Sequence, residues 1–92
     1  MRVYLACFDI EDDRKRRRLS RLLLEYGDRV QYSVFEITVK NEQQLEQLRN
    51  KCQQYADPTD SLRFYWLDAT SRAKSYDVWG EPIARFPQGV VL

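Results

Sequence analysis

Histidine is absent from the 92 residues. The Ser-His-Asp and Cys-His nucleophile systems, and any histidine general base, are therefore ruled out. Catalysis by this chain has to rest on carboxylates, on a metal, or on water activated by these. One stretch collects suitable groups. An apolar run, residues 3–8 (VYLACF), ends at Asp9. Glu11, Asp12 and Asp13 follow, then five consecutive bases, Arg14, Lys15, Arg16, Arg17 and Arg18. Mg²⁺ takes one or two carboxylates and fills its remaining positions with water and phosphate oxygens. Arginine offers a planar donor fork that matches phosphate, and such contacts hold a nucleic-acid backbone without reading its sequence. The junction has the residue types of phosphate chemistry.

Each of these residues also has a plainer role. Asp9 could be a magnesium ligand, or could end a strand and bond to backbone; spacing alone leaves both open. One acid per chain is thin for a metal site. A two-fold dimer presents the same acid twice, and an isologous interface can bring the copies together. Asp12 and Asp13 suit helix capping better than ligation. The five bases favour phosphate binding over a merely solvated face. Ser33 could bond a phosphate or shape a turn. Tyr32, Phe35, Phe64, Tyr65 and Trp66 could stack bases, but without an RNP-type pattern they read better as core or dimer contacts.

The composition narrows the setting. A chain of 92 residues makes one domain near the small end of those that fold alone. Its formal net charge is +1, so the basic character is local rather than global. Cys7 and Cys52 are the only cysteines and form no CxxC pair, which argues against a structural zinc site. Both read as small buried thiols in a reducing cytoplasm. No apolar run is long enough to span a bilayer, and no signal peptide is expected.

Several elements must position the junction. Residues 2–9 read as a strand, with Val3, Leu5, Cys7 and Asp9 on one face and Tyr4, Ala6, Phe8 and Ile10 on the other. Because it is apolar on both sides until Asp9, the strand should be central and covered twice. Asp12 or Asp13 caps a helix that runs to about Tyr26 and stops at Gly27. Leu19, Leu22, Leu23 and Tyr26 form its buried stripe; Arg14, Arg17, Arg18 and Arg21 cluster on another side, and Arg16 sits apart. Residues 29–32 and 34–40 read as two strands reversing near Ser33, with one bulged strand as the alternative. Asn41 caps a second helix with Gln44 as its reciprocal partner, and Leu45, Leu48, Cys52 and Tyr55 form the stripe. Residues 61–68 read as a strand. Residues 69–77 read as a polar loop, 78–80 as a short strand, and 89–92 as a terminal one. The order is βαββαβ plus a C-terminal extra: an α+β, ferredoxin-like sandwich with an antiparallel sheet. Its core is residues 1–68 of a single domain spanning 1–92. Helices cover one face of the sheet, and the other is left for a partner or a second copy.

The pieces FDIEDDRKRRRL, RVQYSVFE after a YGD turn, and LRFYWLD resemble a known family. It is the small CRISPR-associated protein that partners the integrase during spacer acquisition. RVQYSVFE with an upstream DI-x-D-D-x-x-R-R is the specific part; the match covers residues 1–68 well and the tail loosely. The resemblance implies a homodimer with its two sheets facing, and Asp9 as the catalytic Mg²⁺ ligand at the dimer interface. It implies nucleic-acid backbone contacts at Arg14, Arg16 and Arg18, with Arg29, Ser33 and Phe35 supporting the site. Two activities come with it: metal-dependent endonuclease action, mostly on single-stranded RNA and sometimes on DNA, and a bridging role in spacer integration. The partners it implies are the larger CRISPR-associated integrase and duplex DNA, with no membrane. Phe8 stands where a tyrosine is common before the aspartate, so one hydroxyl is missing. Nothing beyond Asp68 transfers residue by residue; the extension 69–92 is expected at a dimer or partner interface.

Overall fold

A computed structural model describes residues 1–85. Four strands, β1 (Arg2–Asp9), β2 (Gly27–Gln31), β3 (Val34–Val39) and β4 (Ser61–Leu67), form one sheet in the order β2-β3-β1-β4. Every neighbouring pair is antiparallel. Helices α1 (Asp13–Leu24) and α2 (Glu42–Cys52) connect β1 to β2 and β3 to β4, and a single 3-10 turn, Gln53–Tyr55, extends α2. This is the expected βαββαβ arrangement, with the apolar first strand in the interior of the sheet.

The period-2 pattern of β1 decides the layers. Tyr4, Ala6, Phe8 and Ile10 point to the helices, where they meet Phe35, Ile37 and Val39 of β3, Leu19 and Leu23 of α1, and Leu48 and Cys52 of α2. Fully burying each large apolar side chain contributes about 1.5–3 kcal/mol, so this layer carries most of the fold's stability. Burial pushes the Cys52 thiol up to about 11, which leaves it protonated and inert. Asp12 is the cap of α1, accepting from the Lys15 N–H at 2.9 Å, and Asn41 caps α2 by accepting from the Gln44 N–H at 2.9 Å. The Gln44 side chain reaches one residue further back than a capping box requires and accepts from the Lys40 N–H at 2.6 Å.

Three local expectations need correction. α1 ends at Leu24, and Gly27 opens β2 rather than closing the helix. A Cβ there would lie 1.9 Å from the Glu36 carbonyl oxygen, so only glycine allows β2 and β3 to approach. Residues 69–77 are not all loop: Asp68 accepts from the Ser71 N–H at 2.8 Å and starts a short helix, α3 (Ala69–Ala73). Residues 78–80 form a turn instead of a strand. The Asp77 Oδ1 accepts from the N–H groups of Trp79 at 2.8 Å and Glu81 at 3.0 Å, and Gly80 takes a φ of 85°. The expected terminal strand at 89–92 lies outside the described residues.

The second sheet face is not as bare as the helix count suggests. Residues 82–85 return to it and, with Leu5, Cys7, Val34 and Glu36, line a cavity of about 650 Å³. Val3 is fully buried, while Leu5, Cys7 and Val34 are only half-buried. Burial raises the Glu36 carboxyl above its usual range, and Asp28, opposite it on β2, adds to the shift.

Candidate nucleic-acid and metal site

Asp9 is the last residue of β1, paired across the sheet with Ser61 of β4. Its side chain shares the face of Leu5 and Cys7, away from the helices, and is exposed. It makes no side-chain hydrogen bond or ion pair within the described residues. One residue earlier, the Phe8 N–H donates to the Ser33 carbonyl at 3.0 Å. That bond extends the β1–β3 pairing by one step and brings the Tyr32–Ser33 turn to the Asp9 end of the sheet. Ser33 acts there through its backbone.

Asp12 and Asp13 are used structurally. Asp12 is the helix cap; the bond from the Lys15 N–H lowers its carboxyl below the ordinary range. Asp13 pairs with Arg16. Lys15 reaches the loop before β4 and donates to Asp57 at 2.6 Å, which raises its ammonium. Asp60 in that loop accepts from the Glu11 N–H at 3.3 Å and from the Asp57 N–H at 2.8 Å. Sequence reading missed these two acids. The DPTD turn is visible in the sequence, but only the fold brings it beside the β1–α1 junction.

The run of bases divides. Arg14, Arg17, Arg18 and Arg21 are exposed, and helical spacing gathers them along one side of α1. None makes an ion pair within the described residues. Arg16 turns the other way. It donates to the Ile10 carbonyl at 2.8 Å, and its guanidinium carbon lies 5.7 Å from the centre of the Tyr32 ring. Arg29 approaches the same ring at 5.5 Å, rests 5.2 Å from the Phe35 ring, and donates to the Ser20 hydroxyl at 2.9 Å. Phe35 is fully buried and stacks on Phe8 at 5.9 Å.

The metal expectation can be weighed on these groups. No group of three or more metal-ligating side chains forms among the described residues. One chain therefore offers an isolated, outward-facing carboxylate. That donor set fits Mg²⁺, which keeps most of its waters, once a second copy or a substrate phosphate completes the shell. It does not fit zinc or calcium, which need more protein ligands.

An α+β domain of the ferredoxin-like type, with a free acid ending its first strand and an arginine-faced helix directly after it, is the class defined by fold and site together. The family model of CRISPR associated protein Cas2 matches residues 1–75, and the chain belongs to that family. A Synechocystis relative named CRISPR-associated endoribonuclease Cas2 3 is 41% identical over 92 residues, covering 100% of this chain and 99% of its own. A Thermus thermophilus protein named CRISPR-associated endonuclease Cas2 2 is 45% identical over 65 residues, covering 70% of this chain and 71% of its own. Among solved structures, a chain of a partial Cas6-RT-Cas1–Cas2 complex superposes with a TM-score of 0.83 at 41% identity, covering 94% of this chain and 100% of that one. Streptococcus pyogenes Cas2 superposes with a TM-score of 0.72 at 28% identity, covering 83% and 98%.

Proposed function

We propose that the chain acts in the cytoplasm as a homodimer in CRISPR adaptation, holding nucleic-acid backbone and bridging copies of the larger integrase. We propose too that its paired Asp9 residues serve a Mg²⁺-dependent endonuclease acting on single-stranded RNA and, secondarily, DNA. The observation that carries this is the free Asp9 carboxylate directly before a helix whose outer side holds four arginines without ion pairs among the described residues. The likeness to a chain of a complex containing Cas1 supports the integrase as partner. No helix among the described residues is long and apolar enough to cross a membrane.

Within such a dimer, Asp9 would hold the cation, and the backbone would lie along Arg14, Arg17 and Arg18. Arg29 and the buried Phe35 would support the Asp9 end from behind. When bound, Mg²⁺ would supply Lewis-acid stabilisation of charge on the phosphate. A second reading, a DNA-bridging adaptor without cleavage, is favoured by the isolation of Asp9 in one chain and the lack of any histidine base.

The half-buried Leu5, Cys7 and Val34 and the exposed Tyr65 give the dimer its expected contact. Light scattering at micromolar concentration should return twice the 11.1 kDa chain mass; a clean monomer would exclude the paired-acid arrangement. Binding to duplex DNA should be insensitive to sequence and weaken steeply with salt, because each neutralised phosphate releases counterions. Changing Arg14, Arg17 and Arg18 together to Gln should flatten the log–log salt slope by about 0.9 for each phosphate that is no longer neutralised. An unchanged slope would place the bound phosphates away from α1.

A further inference from the structure

Tyr32 occupies a position where an aromatic ring gains little for the fold. It belongs to the two-residue turn between β2 and β3, bounded by the Gln31–Val34 pair, where Gly, Asn and Asp are the usual residues. Neither turn residue has a positive φ, so the reversal depends on the register shift between Arg29 and Gln31 rather than on special turn chemistry. The residue is 68% exposed. Phe8 and Phe35, next to it, are buried; Trp66 is held by Arg2 and Tyr4 near the opposite end of β1.

The ring is also held in place. The Arg16 and Arg29 guanidinium carbons lie 5.7 and 5.5 Å from its centre. Each guanidinium has its own anchor, Arg16 on the Ile10 carbonyl and Arg29 on the Ser20 hydroxyl. Cations at this distance restrain an aromatic ring, and they also place two positive charges beside anything that stacks on it. A tyrosine this exposed, with two guanidinia over its ring, is the combination that takes one nucleobase together with its phosphate. A paired base inside a duplex has no free face to offer; an unpaired base does.

We propose that Tyr32 is a stacking platform for one unpaired nucleobase at the Asp9 end of the sheet, giving the chain a preference for single-stranded over duplex nucleic acid. This rests on the nucleic-acid reading above and adds to it a residue that selects strandedness. α1 holds the backbone of either form, and Tyr32 engages only a strand whose bases are free.

The test uses the full chain, Tyr32→Ala and Tyr32→Phe, with a fluorescein-labelled ten-nucleotide single-stranded RNA and a duplex of the same length, read by anisotropy. A companion single strand carrying 2-aminopurine reports stacking as quenching. Tyr32→Ala should lose roughly 5- to 150-fold in single-strand affinity and the quenching with it, while duplex affinity stays the same. Tyr32→Phe should keep both, since the ring and not the hydroxyl is at work. Equal losses on both forms, or no loss on the single strand, would overturn the proposal while leaving backbone binding intact. A wild-type protein that binds neither form would instead overturn the nucleic-acid reading itself.

Discussion

Asp9→Asn is expected to lower Mg²⁺-dependent cleavage of single-stranded RNA by a factor on the order of 10²–10³. The carboxylate is exposed, ends its strand, and makes no side-chain bond within the described residues. The amide keeps its shape and removes only its charge. A lost Lewis-acid contribution of several kcal/mol, at 1.36 kcal/mol per tenfold in rate, gives an effect of that size. The fold should be untouched, because no burial and no partner depends on the charge. The proposed dimer should persist or tighten, since the two like charges that would face each other across its axis are removed. Single-turnover cleavage at fixed Mg²⁺, with thermal melts run alongside, separates these outcomes. Undiminished cleavage by Asp9→Asn, in protein free of contaminating nuclease, would remove Asp9 from catalysis. Loss of cleavage with spacer integration retained would show that the two activities part at this residue.

Phe35→Ala is expected to cost about 3–5 kcal/mol of stability, the usual range for emptying a buried phenylalanine site. Phe35 is fully buried, stacks on Phe8, pairs across β3–β1 with Ala6, and backs the Arg29 guanidinium. Small neighbours such as Ala6 cannot fill the space. Domains of this size hold about 5–15 kcal/mol in total, and each kcal/mol moves the midpoint by about 4–8 °C. A fall in Tm of roughly 12–40 °C should follow. A shift under about 5 °C would mean that the core collapses around the gap or that Phe35 is not central to it. Phe35 has no surface with which to touch a substrate, so cleavage lost beyond the unfolded fraction would report the support it gives to Arg29.

The elements that sequence reading found are those with long, unambiguous periods. β1 shows because it is an unbroken apolar run that ends at a charge, and α1 and α2 because Asp12 and Asn41 mark their starts. Gly27 misled because glycine is a common helix terminator, whereas here it is needed for the close approach of two strands. Asp68 and Asp77 are side chains that capture backbone N–H groups, and their short-range effect does not register in a hydrophobic period. The candidate site was legible to the same degree. Asp9 stands out as a lone acid closing an apolar strand. Arg16 and Tyr32 are each candidates in the sequence, but their contact is not legible there, because it joins segments that are distant in the chain.

The five-base run reads as a uniform positive block, but Arg16 divides it into positions with different tolerances. At 14, 17 and 18 the side chains are exposed, and the fold itself asks nothing of them that lysine would not meet. At position 16 a point charge is inadequate. The group there must donate to the Ile10 carbonyl, pair with Asp13 and lie beside the Tyr32 ring, and only a planar guanidinium has donors arranged to do all three. In thermal melts, lysine substitution of the run's four arginines would therefore leave three positions nearly silent and one loud. The loud one would loosen the turn beside Asp9 without changing the protein's net charge at all.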